Sequence, residues 1–181
     1  MLSSTREKLY LLAIIILIAL CAQFYYTYHY QPAHEIEVYY NQDTQLNKKI
    51  IATIQDADKY VYFAIYTFTR GDIEDALLAA KYRGLTVIGI TDTSQYNSAA
   101  GQSKIIDALR DKGIPVYEQN TSGIMHMKAV VTDKAYASGS FNWTTSATTI
   151  NDEVLETGSD PAVRGQYENI LKELFAKYGS Q

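Results

Sequence analysis

The chain has 181 residues, 47% of them apolar, which is enough for one globular domain with a buried core plus a short additional segment. A formal charge of −4 excludes a global basic field as the means of gripping a polyanion, so any phosphate-bearing partner has to be met by a local patch. Cys21 is the only cysteine, which excludes an internal disulfide and any cysteine-built metal site.

Met1 to Lys8 is short and polar, with Arg6 and Lys8, and Leu9 to Ala22 is almost wholly apolar. That is the form of a secretory signal, a positive segment ahead of an apolar one. Adding Phe24, Tyr25 and Tyr26 brings the stretch near the roughly 20 residues of a spanning helix, with the tyrosines as an interfacial belt. Ala19-Leu20-Cys21 is a loose small-x-small site, so a cleaved signal and a retained anchor both fit. In either case Arg6 and Lys8 keep the N-terminus cytoplasmic, and no Lys or Arg follows before Lys48. The expectation is an exported protein, periplasmic or secreted, or one held at a membrane by residues 9–26. Residues 1–30 are therefore read as signal or anchor with an aromatic linker, and 31–181 as the working domain. His29 and His34, beside that boundary, read as solvated.

Glu35 to Tyr40 alternates apolar with polar residues and predicts a first strand. Asp43 to Asp56 predicts a helix with Leu46, Ile50, Ile51 and Ile54 on one stripe. Lys59 to Phe68, aromatic and β-branched, predicts a strand. Asp72 to Arg83 predicts an amphipathic helix that begins near Gly71 and stops at Gly84. Leu85 to Thr91 is a third strand, apolar enough to be central. Ser103 to Lys112 is a helix closed by Gly113, and Ile114 to Glu118 a fourth strand. Strands alternating with helices imply parallel crossovers and an α/β fold.

From Ile124 the chain reads I-M-H-M-K-A-V-V-T-D-K-A-Y-A-S-G-S-F-N-W-T. Its first half predicts a buried strand on which His126 and Lys128 share a face, about 7 Å apart. A turn at Asp133 and Lys134 leads into a second strand, Lys134 to Ser138, which returns Gly139, Ser140 and Asn142 to the same end. These antiparallel strands make the expected sheet mixed, flanked by helices. Thr144 to Thr149 reads as a loop with a helical turn, and Asp152 to Thr157 as a strand. Asp160-Pro161 opens a closing helix that buries Val163, Tyr167, Ile170, Leu171, Leu174 and Phe175. No internal repeat is present. An imidazole, an ammonium, a hydroxyl, an amide and a glycine that permits close approach are the parts needed to hold and attack a phosphodiester. A lone His in a strand is more often structural. Here the joint occurrence of Asp133, Gly139, Ser140 and Asn142 favours a site.

The pattern His126-x-Lys128-x-x-x-x-Asp133, followed by Gly139-Ser140-x-Asn142, resembles the HKD motif of the phospholipase D superfamily. The likeness is greatest to its small single-motif members, the secreted bacterial endonucleases and the mitochondrial phospholipase D-like nucleases. It extends from about His34 to the end of the chain. The spacer from Asp133 to Gly139 has five residues where the pattern has six, which tightens the hairpin. The resemblance implies a phospholipase D-like half-site domain that works as a homodimer, with two His126 residues facing each other across a two-fold axis. One would attack phosphorus to form a phosphohistidine while the other protonates the leaving alkoxide and then activates water. Lys128 would offset phosphate charge, Asn142 would donate to the phosphate oxygens, and Ser140 would hydrogen-bond near the nucleophile. Glu153, with Asp152 and Glu156 close by, would hold the histidine's other nitrogen. Asp133 is either structural or catalytic. No cofactor and no metal are expected.

The expected partner is nucleic acid, DNA and/or RNA, gripped by a rim drawn from Lys48, Lys49, Arg70, Lys104 and Lys134. The sixteen tyrosines could add stacking surfaces, although strand and interface positions account for many of them. The alternatives are a lipid phosphodiesterase at a membrane and a non-catalytic phosphodiester-binding dimer.

Overall fold

Runs of β-branched and aromatic residues become the strands of one sheet, and the helices are the segments with apolar residues three and four apart. The computed structural model describes residues 4–29 and 35–179. His34 and the side chain of His29 lie outside the described residues. Two units are distinguished, the second starting at Glu35. The first is helix α1 (Thr5–His29), 25 residues that run without interruption through the apolar leader and the tyrosines after it.

The second unit contains, in order, β1 (Ile36–Tyr40), α2 (Leu46–Asp56), β2 (Tyr60–Ile65), α3 (Gly71–Tyr82), β3 (Thr86–Asp92), α4 (Thr93–Ser98), α5 (Gln102–Asp111), β4 (Val116–Gln119), β5 (Lys128–Thr132), β6 (Tyr136–Gly139), α6 (Thr145–Thr149), β7 (Val154–Gly158) and α7 (Pro161–Tyr178). The seven strands lie in the order β1-β7-β6-β5-β2-β3-β4. β2, β3 and β4 are parallel and linked through helices, whereas β5 pairs antiparallel with both β2 and β6, and β7 with both β6 and β1. The sheet is mixed and flanked by helices, as the sequence implied.

Several boundaries differ from the sequence expectations. The helix expected from Asp43 starts at Leu46, because the amides of Asp43 and Thr44 close a turn on the Tyr40 carbonyl. The short α4 was not anticipated; its N-cap is Asp92, whose side chain accepts from the amides of Ser94 and Gln95. β3 lies one strand in from the β4 edge, and β5 occupies the middle place. The hairpin strands account for this shift: β5 adds to the free side of β2 and carries β6, β7 and β1 outward. β5 itself starts at Lys128, so His126 belongs to the extended segment just before it.

Each sheet face has its own core. On one face Leu46, Ile50 and Ile54 of α2, Ile73 and Leu77 of α3 and Ile106 and Leu109 of α5 pack on Val61, Phe63, Ile65, Val87 and Val130. Each such side chain, fully removed from water, contributes about 1.5–3 kcal/mol. Gly89 gives Phe63 its room: a Cβ there would lie 2.0 Å from the phenyl ring. On the other face α7 lays Leu171, Phe175 and Tyr178 against Ala64, Ile90, Val131 and Tyr136. Many tyrosines are spent here, with Tyr60 stacked on Tyr62 at 4.6 Å and Tyr136 on Tyr167 at 5.1 Å. α7 covers β2 to β5, and beyond its reach Ile36, Val38, Tyr40 and Val154 stay exposed on the same side of β1 and β7.

Asp133 sits in the β5–β6 turn, at the opposite end of β5 from Lys128. Its carboxylate accepts the amides of Asp58 and Lys59, both at 3.0 Å, and so ties the entry of β2 to the turn. Burial works to raise its pKa, but those backbone donors outweigh burial and hold it below the usual carboxylate value. The two hydrogen bonds therefore contribute fully at neutral pH and are lost as pH falls through the lowered value. Asp133→Ala is expected to reduce stability by about 1–3 kcal/mol, read by urea unfolding at pH 7, and the deficit relative to wild type should shrink in acid.

Candidate active site

The pairing of β2 with β5 sets Lys128 opposite Ile65, at the end of the sheet where the parallel strands finish. β6 leaves its ladder at Gly139, which pairs with Leu155, and this brings Ser140 and Glu153 to that same end. Ligands of open α/β sheets bind at such carboxyl ends. His126 is exposed, while Lys128 directly behind it is only 7% accessible. The Lys128 ammonium lies 3.1 Å from His126 Nε2 and donates to the His126 carbonyl at 2.8 Å. An ammonium has only donors, so this contact leaves the Nε2 lone pair as the acceptor. Burial pulls the Lys128 pKa below the ordinary lysine value, and the negative charge of Glu153 opposes this only in part.

Asn142 accepts the Thr67 amide on Oδ1 at 3.2 Å, which fixes its side chain and leaves Nδ2 as the donor end. Trp143 locks the same corner: its amide donates to the Thr67 carbonyl at 3.0 Å, and its carbonyl accepts the Thr69 amide at 2.8 Å. Ser140 donates its hydroxyl to the Glu153 carboxylate and accepts the Val154 amide at 3.1 Å. Glu153 is nearly buried and also accepts from Asn151 Nδ2 at 3.0 Å. It makes no hydrogen bond to His126 among the described residues of one chain. The physical reason is strand order, since β6 stands between β5 and β7 and Ser140 at its end intercepts the carboxylate. Asp152 and Glu156 are engaged by the hydroxyls of Tyr40 and Tyr136. Of the six residues singled out from the sequence, five gather here, and Asp133 is at the far end of the sheet.

Four further residues shape the site and were not legible as such. The Tyr66 ring meets His126 edge-on at 4.6 Å and lies 5.1 Å beneath the Lys128 ammonium. Its hydroxyl accepts from Gln95 Nε2 at 3.1 Å, and Gln95 Oε1 in turn accepts from Thr67 Oγ1 at 2.9 Å. Asp92, almost fully buried, accepts the Met125 amide at 2.9 Å and so pins the chain one residue before His126. Burial raises its pKa, and the Ser94 hydroxyl with the backbone amides of Met125, Gln95 and Ser94 brings it below normal. Gln102, with no accessible surface, donates to the Tyr66 carbonyl and Thr91 Oγ1 and accepts the Phe68 amide. The only sequence signal for this group is a polar residue closing each of two apolar strands.

Three of the five residues expected to form a basic rim are committed to neighbours. Lys134 lies at the Asp133 end and pairs with Asp58 at 2.9 Å, and Arg70 is held by Asp72 at 2.6 Å. Lys49 is turned to the Tyr39 hydroxyl at 2.8 Å. Among the described residues, no cluster of three or more His, Cys, Asp or Glu is placed to hold a metal.

The profile of the family described as "Cardiolipin synthase, PLD-like domain" matches residues 50–175. Mitochondrial cardiolipin hydrolase of Chlamydomonas reinhardtii is 32% identical over 120 residues, covering 66% of this chain and 52% of that protein. The protein of that name from Xenopus tropicalis is 30% identical over 131 residues, 72% of this chain and 61% of the relative. The chain thus matches little more than half the length of these curated relatives. Among solved structures, Nuc from Salmonella typhimurium, a phospholipase D family member, aligns with a TM-score of 0.72 at 25% identity, over 77% of this chain and 93% of its own. NucT from Helicobacter pylori aligns with a TM-score of 0.67 at 26% identity, over 79% and 96%.

A Cβ on Gly139 would lie 2.1 Å from the Val154 carbonyl oxygen, a backbone atom that cannot yield without parting β6 from β7. Gly139→Ala is expected to cost about 1–3 kcal/mol and to displace Ser140 from Glu153. Thermal unfolding checks the first effect and a crystal structure of the variant the second.

Proposed function

Because the chain belongs to the phospholipase D superfamily, through the PLD-like domain of the cardiolipin synthase family, we propose that it is a metal-independent phosphodiesterase. In this reading it is an endonuclease cutting DNA and/or RNA at a site completed by a second copy of the chain. The observation that carries the proposal is an exposed imidazole whose Nε2 faces a buried ammonium 3.1 Å away at the open end of the sheet.

The chemistry follows from those groups. The Lys128 ammonium leaves His126 Nε2 for the non-bridging oxygens of the bound diester, and the freed lone pair attacks phosphorus: the N–P bond forms and the P–O bond to the leaving group breaks. His126 of the partner subunit gives its proton to the departing alkoxide. That imidazole then takes a proton from water, whose oxygen displaces His126 from phosphorus. Lys128 and Asn142 Nδ2 stabilise the non-bridging oxygens, whose charge grows as phosphorus is attacked. Glu153 acts on the site through Ser140 and through its charge on Lys128.

The bare strip of Ile36, Val38, Tyr40 and Val154 supports pairing of two copies, because its Tyr40–Val154 end lies beside Ser140 and the strip leaves apolar side chains in water. Export or anchoring is supported by α1, whose candidate spanning segment, Thr5 to Tyr28, has 24 residues and a length of about 36 Å, enough to cross a bilayer core of about 30 Å. The domain division proposed here is residues 1–30 as leader and 31–181 as the phospholipase D-like catalytic domain. A lipid phosphodiester is the competing substrate, favoured by α1 and by relatives named for cardiolipin hydrolysis.

Full-length protein in detergent, given plasmid DNA, single-stranded DNA, RNA and cardiolipin vesicles with EDTA present, is expected to cut nucleic acid. His126→Ala should lose at least about a thousandfold in rate, in line with removal of a covalent nucleophile. Cleavage of cardiolipin alone would transfer the proposal to lipid, and an active mutant would remove the nucleophile.

Lys128 is needed as a cation, and its pKa lies below the ordinary lysine value. Activity is therefore expected to fall on the alkaline side at a pH below that of a solvated lysine, and Lys128→Arg should remove that limb from the pH–rate profile. Val38→Asp is expected to yield an inactive monomer, seen by light scattering beside the activity assay.

A further inference from the structure

Beside the catalytic groups a cleft of about 340 Å³ opens between the end of β3 and the segment that follows β4. Ser94, Gln119, Asn120, Thr121, Ser122 and Ile124 line it, and Ile124 is two residues from His126. Two extended residues span about 7 Å, so a group in the cleft lies within one nucleotide of a phosphate at His126. The volume is at the lower end of the 300–1,000 Å³ that small-ligand sites occupy.

The lining decides what fits. Among the described residues no Lys or Arg lines this cleft, and Asp92 contributes a carboxylate to its floor, so a second phosphate is disfavoured. Amide side chains at Gln119 and Asn120 offer donors and acceptors together, the Ser122 hydroxyl does the same, and Ser94, whose hydroxyl donates to Asp92, offers an acceptor. Ile124, 59% exposed, offers an apolar surface to a flat ring. In the wall, Thr93 Oγ1 is buried and has no hydrogen-bond partner among the described residues, a state that buried hydroxyls rarely keep. A neutral ring with hydrogen-bonding edges matches this set, and acyl chains and charged headgroups do not.

We propose that this cleft seats the nucleobase adjoining the scissile phosphate, which makes the enzyme selective for single strands. A base can enter only when it is unstacked and unpaired. The proposal rests on the nucleic-acid reading given above and adds to it the groups that hold the substrate. Asp92 joins the two parts, since the carboxylate at the cleft floor is the one that pins Met125 beside His126.

The test uses full-length protein in detergent and two probes. One is a single-stranded DNA oligonucleotide, intact or carrying one abasic residue at a defined position. The other is bis(p-nitrophenyl) phosphate, a small diester that needs no base site. Wild type is expected to cut about tenfold more slowly at one phosphate flanking the abasic residue. Asn120→Leu removes an amide from the cleft. Gly123→Trp fills it from a position where an added Cβ meets only Gln119 Nε2, at 3.4 Å. Both variants should lower the ratio of kcat/KM on oligonucleotide to kcat/KM on the small diester by about tenfold and erase the penalty at the abasic residue. Hydrolysis of the diester reports that each variant is folded. An abasic residue cut as fast as its neighbours, or ratios equal to wild type in both variants, would overturn the base site while leaving the phosphodiesterase reading intact. Failure of wild type on the oligonucleotide despite diester turnover would instead remove the nucleic-acid reading, and the base site with it.

Discussion

The site is organised by one ammonium held almost out of water. Removing a charge from solvent costs several kcal/mol unless other groups replace the lost hydration. Lys128 receives partial replacement from the His126 carbonyl, the His126 ring nitrogen, the face of Tyr66 and the field of Glu153. The lowered pKa of Lys128 shows that this replacement is incomplete. An anion arriving beside His126 would complete it.

Placement of that ammonium depends on how the sheet is divided. β2 stands at the border, with the parallel strands β3 and β4 on one side and the antiparallel strands β5, β6, β7 and β1 on the other. The parallel half ends in polar residues, Asp92, which braces the chain before β5, and Thr91, whose hydroxyl donates to the Ile65 carbonyl at the end of β2. The antiparallel half delivers Lys128, Ser140 and Glu153 to the same end, because β5 starts, β6 finishes and β7 starts there, as successive antiparallel neighbours must. Close approach of β6 to β7 at Gly139 lets Ser140 reach Glu153.

An acidic chain can still serve a polyanion when charge is used locally. Lys49, Arg70 and Lys134 are committed to neighbours that hold the fold. Lys128, by contrast, is directed at the open end of the sheet. The tyrosines follow a similar division, since Tyr60, Tyr62, Tyr136 and Tyr167 build the core under α7 whereas Tyr66 belongs to the site.

Local pattern determined a good deal. Residue periodicity located the strands and, α4 apart, the helices to within a few residues, and the two-residue spacing of His126 and Lys128 put both on one side of an extended segment whether or not the strand had begun. The motif identified the superfamily for the same reason: its spacing is short-range, and short-range geometry survives any arrangement of the rest. What tertiary structure decided depends on strand order and register, which are set by burial of both sheet faces and are not written into any single segment. Lys128 opens β5 and Asp133 lies in the turn just after it, so the length of that strand puts them at opposite ends of the sheet. Glu153 meets Ser140 rather than His126 because β6 intervenes. Tyr66, Gln102 and the pair Asp92 and Gln95 come from three segments and look ordinary in each, and only the folded sheet brings them together around the chain that carries His126.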